Sequence, residues 1–377
     1  TAQLIQARTD AHLWAGTYDR NANNLLELQQ EIARAIAAEV KLSLTPQEDA
    51  QLSEKAEVSP GAYESYLRGR YAMSMRTPQS LMESIGFFER AASLSPRFAR
   101  AYAGLADAYS LLTPYAHVRP EETYPKSKAA ALKALDLNGR LGEAHASLAV
   151  VVHEYDWNHA LAQQHFQRAI ELVPNYAPAR QWYAEFLTRM RRHSEAVTSI
   201  EHAREQDPLS LIVNAIAGWV YHFSGRDADA IRQLRRTIDL DPEFSLAYGY
   251  LGMALAGNGQ RAEAVQAYQR ALALSDGNPR WLAEMGVLQA QAGETASARS
   301  ALARLRLTSA KTFVPAVHFA RLHLALGERR QALEWLDRGS REERGVWMLF
   351  LNMDPLFEHL RSEPDFQRLL RRIGFEP

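Results

Sequence analysis

Small apolar residues return along this chain at a fixed step. Ala196, Ala230, Ala264, Ala298 and Ala332 stand 34 residues apart, Gly225, Gly259, Gly293 and Gly327 keep the same step, and so do Pro174, Pro208 and Pro242. A shared period of this length predicts a run of helix pairs, each burying its apolar face only against the next pair. Alanine falls early in the second helix of a pair, where two axes approach too closely for a larger side chain. Glycine ends the first helix, where a left-handed turn costs other residues roughly 1–2 kcal/mol. Proline closes the second helix in Asp207-Pro208 and Asp241-Pro242, since it cannot prolong it. Arg191 holds the glycine position one unit earlier, which predicts a strained or reshaped turn there.

The unit from Ser245 to Asp276 carries Tyr248, Leu251-Gly252, Ala264, Tyr268 and Ala271, and an earlier one carries Tyr102, Leu105-Ala106 and Tyr109. These residues resemble the tetratricopeptide repeat. By this spacing about eight units lie between Ala62 and Gly339, regular from Ala177 onward and looser before. The resemblance implies a mainly α fold, a right-handed superhelix of about eight helix pairs. Unit one is lengthened around Arg76-Thr77-Pro78, unit two carries an expected insert from Thr113 to Lys128 with Pro114, Pro120 and Pro125, and Asn138-Gly139 replaces the closing Asp-Pro.

The beginning reads differently. Ala2 to Gln6 alternate towards a turn at Arg8-Thr9-Asp10, His12 to Tyr18 read as a returning strand, and Leu28, Ile32, Ile36 and Val40 mark one face of a helix from about Leu25 to Leu42. Thr45-Pro46-Gln47-Glu48 offers a hydroxyl cap, a first-turn proline and a glutamate that reaches back, so a linker helix is expected there, and Ser59-Pro60 caps the first repeat. The segment Thr1-Ala2-Gln3-Leu4-Ile5, His12-Leu13-Trp14, Tyr18-Asp19-Arg20 and Leu28 to Ala33 resembles the end of a TolB-like or FlgO-like α/β domain of bacterial multidomain regulators. Leu44 to Glu48, Ala62 to Gly69, Asp354-Pro355-Leu356-Phe357 and Leu360 to Phe366 are similar to the same family. The resemblance implies four parts: a partial α/β segment of β-hairpin plus helix over 1–43, a linker helix over 44–60, the superhelix over 61–340 and a helical cap over 341–377. It also implies an effector module elsewhere in the parent: a winged-helix DNA-binding domain of CadC type, a serine/threonine kinase or a nucleotide cyclase. In the cap, Asp354-Pro355 and Ser362-Glu363-Pro364 start two short helices that bring Phe357, Leu360, Phe366, Leu369 and Leu370 against the final repeat.

Composition adds little chemistry. The 377 residues are 47% hydrophobic and 23% charged, net charge is −1, and there is no cysteine, which excludes disulfides and thiolate metal sites but assigns no compartment, cytoplasmic or periplasmic. No apolar run approaches a membrane span. His153, His159 and His165 are six apart and His318 and His323 five apart, spacings that read as structural rather than zinc-ligating. Gly257-Asn258-Gly259 reads as a turn and not a phosphate loop, and Glu342-Glu343 as part of a solvated charge run. Arg189, Arg191 and Arg192, and Arg232, Arg235 and Arg236, read as helix faces rather than a nucleic-acid surface. No catalytic, cofactor or metal residues are expected, and the chain is expected to be no enzyme.

The candidate site is the inner surface of the superhelix. The inward positions are Gln181, Glu185, Thr188 and Arg189 in unit four; Ile212, Ala215, Trp219, His222 and Phe223 in unit five; Leu246, Gly249, Met253 and Ala256 in unit six; and Arg280, Ala283, Val287 and Gln291 in unit seven. An aromatic, apolar centre flanked by polar residues predicts a groove for a protein or peptide partner, with direct nucleic-acid binding not expected. At least one of Trp219 and Phe223 is expected to be core instead. The expected role is a non-enzymatic interaction and regulatory scaffold of a bacterial signalling or transcriptional regulator. The alternatives are an oligomerisation module pairing through the hairpin Thr1 to Arg20, or the sensory part of a kinase, cyclase or DNA-binding regulator.

Overall fold

A computed structural model describes residues 2–6, 11–16, 31–32, 35–36 and 58–376. The linker helix expected from Thr45, and most of the helix expected from Leu25, lie outside the described residues; 31–32 and 35–36 are helical. Strand β1, Ala2–Gln6, pairs antiparallel with β2, Ala11–Gly16, so that Leu4 faces Trp14 and Ile5 faces His12, with a register shift between Leu4 and Ile5.

From Pro60 the chain is helix pairs. The first four are α1 Pro60–Ser74 with α2 Pro78–Leu94, α3 Ala99–Ala116 with α4 Pro120–Leu137, α5 Gly142–Glu154 with α6 His159–Leu172, and α7 Ala177–Arg189 with α8 His193–Gln206. Four more follow: α9 Leu211–Phe223 with α10 Asp227–Leu240, α11 Ser245–Gly257 with α12 Arg261–Leu274, α13 Pro279–Gln291 with α14 Thr295–Ser309, and α15 Ala316–Ala325 with α16 Arg329–Glu342. Ser59 opens the array by accepting from the Ala62 amide, and Thr77 and Ser80 cap α2 reciprocally. The five periodic alanines are all fully buried, as a close helix crossing requires. The first helices are the inner ones. Of its 13 residues α9 buries nine, whereas α10 buries five of 14.

The turn inside every pair contains one left-handed residue. In the last four pairs it is Gly225, Gly259, Gly293 and Gly327, with φ between 73° and 80°. In the first four it is Arg76, His117, Trp157 and Arg191, with φ between 55° and 60°. Arg191 therefore keeps the same turn as the glycines and bears its backbone cost of roughly 1–2 kcal/mol. The expected insert in unit two is absent as a loop: Pro114 and Pro125 both lie inside helices, and α3 and α4 reach 18 residues each, so the extra chain adds helical turns.

After α16 the chain does not stop at the last repeat. Residues 344–376 turn back along the inner face through a 3-10 turn at Val346–Leu349, helix α17 Phe350–Met353, a second 3-10 turn at Pro355–Leu360 and helix α18 Pro364–Arg372. Asp354 caps the second turn through the Leu356 amide at 2.9 Å. Phe357, Leu360, Phe366, Leu369 and Leu370 are buried, as are all residues from Val346 to Asp354. The path reaches much further than a cap on the final repeat, because Ile373 and Phe375 end against His159 in unit three.

One close inter-helix fit lies at Gly252 on α11, where an added methyl would come within 2.6 Å of the Tyr268 ring. Gly252→Val should lower unfolding free energy by about 1–3 kcal/mol, read as a lower denaturant midpoint at unchanged slope. A change below about 0.5 kcal/mol would show that the two helices separate without penalty.

Candidate functional site

The C-terminal segment and the inner helices are joined by specific polar contacts. Asn352 Nδ2 donates to the Arg189 carbonyl at 2.8 Å, and Arg361 Nη2 holds the Asn352 carbonyl at 2.5 Å. Arg191 reaches Glu358 at 2.9 Å, Arg321 binds both Glu284 and Asp354, the latter at 2.6 Å, and Arg372 meets Asp337 at 2.9 Å. Arg344 donates to the Asp156 carbonyl at 3.1 Å and lies over the Trp157 ring. The left-handed residues Trp157 and Arg191 are thus both partners of this segment, which gives their strained backbone a structural return.

Histidines complete the closure. His153 Nδ1 and His159 Nδ1 are 3.0 Å apart, and His159 Nε2 lies 3.0 Å from the Ile373 carbonyl. A carbonyl only accepts, so His159 carries its proton on Nε2 and accepts at Nδ1 from His153. Burial holds both rings below the ordinary imidazole pKa, keeping the relay neutral. No group of three His, Asp, Glu or Cys side chains suited to a metal occurs among the described residues.

Most of the inner positions chosen from sequence line one of two spaces. Gln181, Glu185, Arg189, Trp219, Leu246 and Arg280 line one cavity of about 70 Å³, roofed by Val346, Trp347 and Phe350 of the C-terminal segment. His222, Phe223, Met253 and Val287 line a more open cleft of about 440 Å³ with Asp354, Leu356 and His359. Ile212, at the start of α9, packs half-buried against the core and lines neither. Trp219 is only 3% exposed, whereas Phe223 is half-buried and packs on Phe350 at 6.4 Å. The inner surface is therefore occupied by the chain's own C-terminal residues.

Electrostatics in the cavity are unbalanced. Arg189 sits between Glu185 at 3.1 Å and Glu154 at 3.5 Å, and Tyr124 donates to Glu154 at 2.7 Å. Gln181 Nε2 donates to Glu185 at 3.0 Å. Among the described residues Arg280 has no such carboxylate; its guanidinium lies over Trp281, Tyr250, Trp347 and Phe350 at 4.6–5.8 Å. Sequence reasoning missed Arg76, Glu154, Tyr250, Trp281, Trp347 and Phe350 as lining residues. The first of these had a signal, an arginine in a lengthened turn. The arginine clusters on the helices are largely paired: Arg192 with Glu195, Arg232 with Asp229, and Arg235 with Glu263.

Burial pushes Glu154 up to about 7, against Arg189 and the Tyr124 hydrogen bond, which pull it down. A carboxyl raised in the folded state favours folding below its ordinary value, and that contribution disappears as pH rises through 7. Glu154→Gln mimics the protonated form, so its unfolding free energy should fall less than the wild type's between about pH 5 and pH 8, by on the order of 1–3 kcal/mol in denaturant titrations. A variant with the same pH slope as wild type would show that Glu154 is ionised throughout.

Comparison with known proteins places this geometry. Patterns described as Tetratricopeptide repeat match residues 158–218, 217–279 and 255–318. The chain is similar to "Putative adenylate cyclase 3" of Rhizobium meliloti, 28% identical over 153 residues, which cover 40% of this chain and 26% of that protein. It is also similar to transcriptional regulator HilA of Salmonella paratyphi A, 26% identical over 170 residues, covering 44% of this chain and 30% of that one. Each match thus spans less than a third of the curated relative. Among solved structures, the human IFIT1 dimer with PPP-AAAA shares the fold at 16% identity, with a TM-score of 0.51 over 70% of this chain and 69% of that one. No described helix is long and apolar enough to cross a membrane. Residues 158–318 are a run of tetratricopeptide repeats, the architecture of protein-interaction scaffolds, and the helix pairs on either side continue it.

Proposed function

We propose that this chain is the regulatory scaffold of a larger bacterial signalling or transcriptional protein, and that its inner face receives an extended segment of a partner in place of its own C-terminal residues. The observation that carries this reading is the seated segment 344–376 itself. It enters as a peptide would, placing Trp347 and Phe350 against the aromatic wall while Asn352, Asp354 and Glu358 engage Arg189, Arg321 and Arg191. Apolar anchors flanked by a few charged pairs are the chemistry by which helical grooves choose ligands. The similarity to HilA and to a cyclase supports a regulatory setting.

A partner then works by competition. The free groove is a minor state while the C-terminal segment is seated, so apparent affinity is reduced by the fraction open. Loosening the segment should raise that affinity. A labelled peptide of residues 344–360 is expected to bind the full chain carrying Trp347→Ala and Phe350→Ala about tenfold or more tighter than wild type. If the double variant loses its helical circular dichroism, Glu358→Arg, which breaks the exposed contacts to Arg191 and Arg361, provides the milder opening. Equal binding to the wild type and to a folded, loosened variant would contradict the reading.

A further inference from the structure

The enclosed cavity behind Trp347 carries more positive charge than its surroundings neutralise. Among the described residues, Arg76 Nε and Nη1, Arg280 Nε and Nη2, Arg189 Nε, and the indole nitrogens of Trp219 and Trp347 are buried without a hydrogen-bond partner. All five of these side chains line the same cavity. Arg280 is 8% exposed, Trp219 3% and Trp347 4%, so bulk water does not serve them. Native interiors leave few such donors, and a guanidinium cannot shed its charge to escape the cost.

Nearby acids do not supply the missing charge. Glu185 already accepts from Arg189 and Gln181. Glu154 and Asp107 are both pushed up to about 7 by burial. Arg76 and Arg280 form no ion pair among the described residues, yet both line the same cavity with Tyr115, over whose ring Arg76 lies at 5.5 Å. Arg76 comes from the non-glycine left-handed turn of unit one, an arrangement that delivers its side chain inward at a backbone cost. The other walls are Trp281, Tyr250, Trp182 and Phe350 rings.

We propose that this cavity is a binding site for a small organic carboxylate with a flat, unsaturated body, its oxyanion held by Arg76 and Arg280 and its carbon face laid among the tryptophans. Donors in excess select an anion, and the planar forks of two arginines match a carboxylate. Aromatic walls favour a carbon body over a fully hydrated inorganic ion. A space of about 70 Å³ holds roughly five water-sized spheres, which limits the ligand to fewer than about ten heavy atoms. Since Val346, Trp347 and Phe350 form the roof, an occupied site holds the C-terminal segment in place, and by linkage a partner that displaces the segment weakens the ligand.

Benzoate serves as the probe, with inorganic phosphate beside it. Four of the chain's seven tryptophans line the cavity, so binding is read as saturable fluorescence change together with a rise in melting temperature of the full chain. Millimolar benzoate should produce both. Arg280→Met and Arg76→Gln should each weaken the response about tenfold or more, and Arg280→Met should leave the unliganded protein as stable or more stable, because an uncompensated buried charge is removed. Absence of a saturable response to benzoate would overturn the proposal, as would responses undiminished in both variants. Saturation by phosphate at lower concentration than benzoate would overturn the carboxylate assignment. None of these outcomes depends on a partner entering the groove, so the site and the scaffold reading fail separately.

Discussion

The structure depends on the need to cover the inner ridge of the repeats. The first helices of successive pairs turn their most apolar sides, Trp219, Leu246, Met253 and Val287 among them, towards a common interior that neighbouring repeats alone do not close. A simple repeat array leaves such a surface for a ligand, because each unit touches only its neighbours. Here residues 344–376 fill it. Contacts 163 residues apart, from Asn352 to Arg189, and 214 apart, from His159 to Ile373, convert a linear stack into a ring of mutual support.

That closure explains where the chain tolerates local cost. Left-handed arginine and tryptophan residues in the early turns replace the glycines used later, and Trp157 and Arg191 meet the returning segment while Arg76 reaches the cavity. Buried ions follow the same division. Arg189 and Arg321 are matched by acids, whereas Arg280 is surrounded by rings, and only the second arrangement leaves a charge awaiting a counter-ion. Paired buried ions fix the geometry; unpaired ones mark a site.

The repeat was legible because its signals are local. Periodic alanine, glycine and proline report close crossings and turns within a few residues, and the pairs from α7 onward follow those positions. The turn at Arg191 kept its left-handed shape because geometry dictated by two packed helices outweighs one residue's preference. Unit two misled for a related reason. Proline suggests a loop, but Pro114 and Pro125 fit inside helices lengthened around them. The path of the C-terminal segment was not legible. Capping residues fix that short helices begin near Pro355 and Pro364, but nothing local says that Phe350 meets Phe223 or that Phe375 meets His159. The inner residues could be named from repeat position, while their burial depended on that distant partner, as did the grouping of Arg76 with Arg280.

Native-state hydrogen exchange on the full chain tests the closure most directly, because it reads the free energy needed to expose each amide. The account predicts that amides of the returning segment, such as Asp354 bonded to the Phe350 carbonyl, exchange through the same opening as those of α7 and α9. Exchange of residues 346–354 at rates near those of unstructured chain, with α7 and α9 still protected, would contradict it.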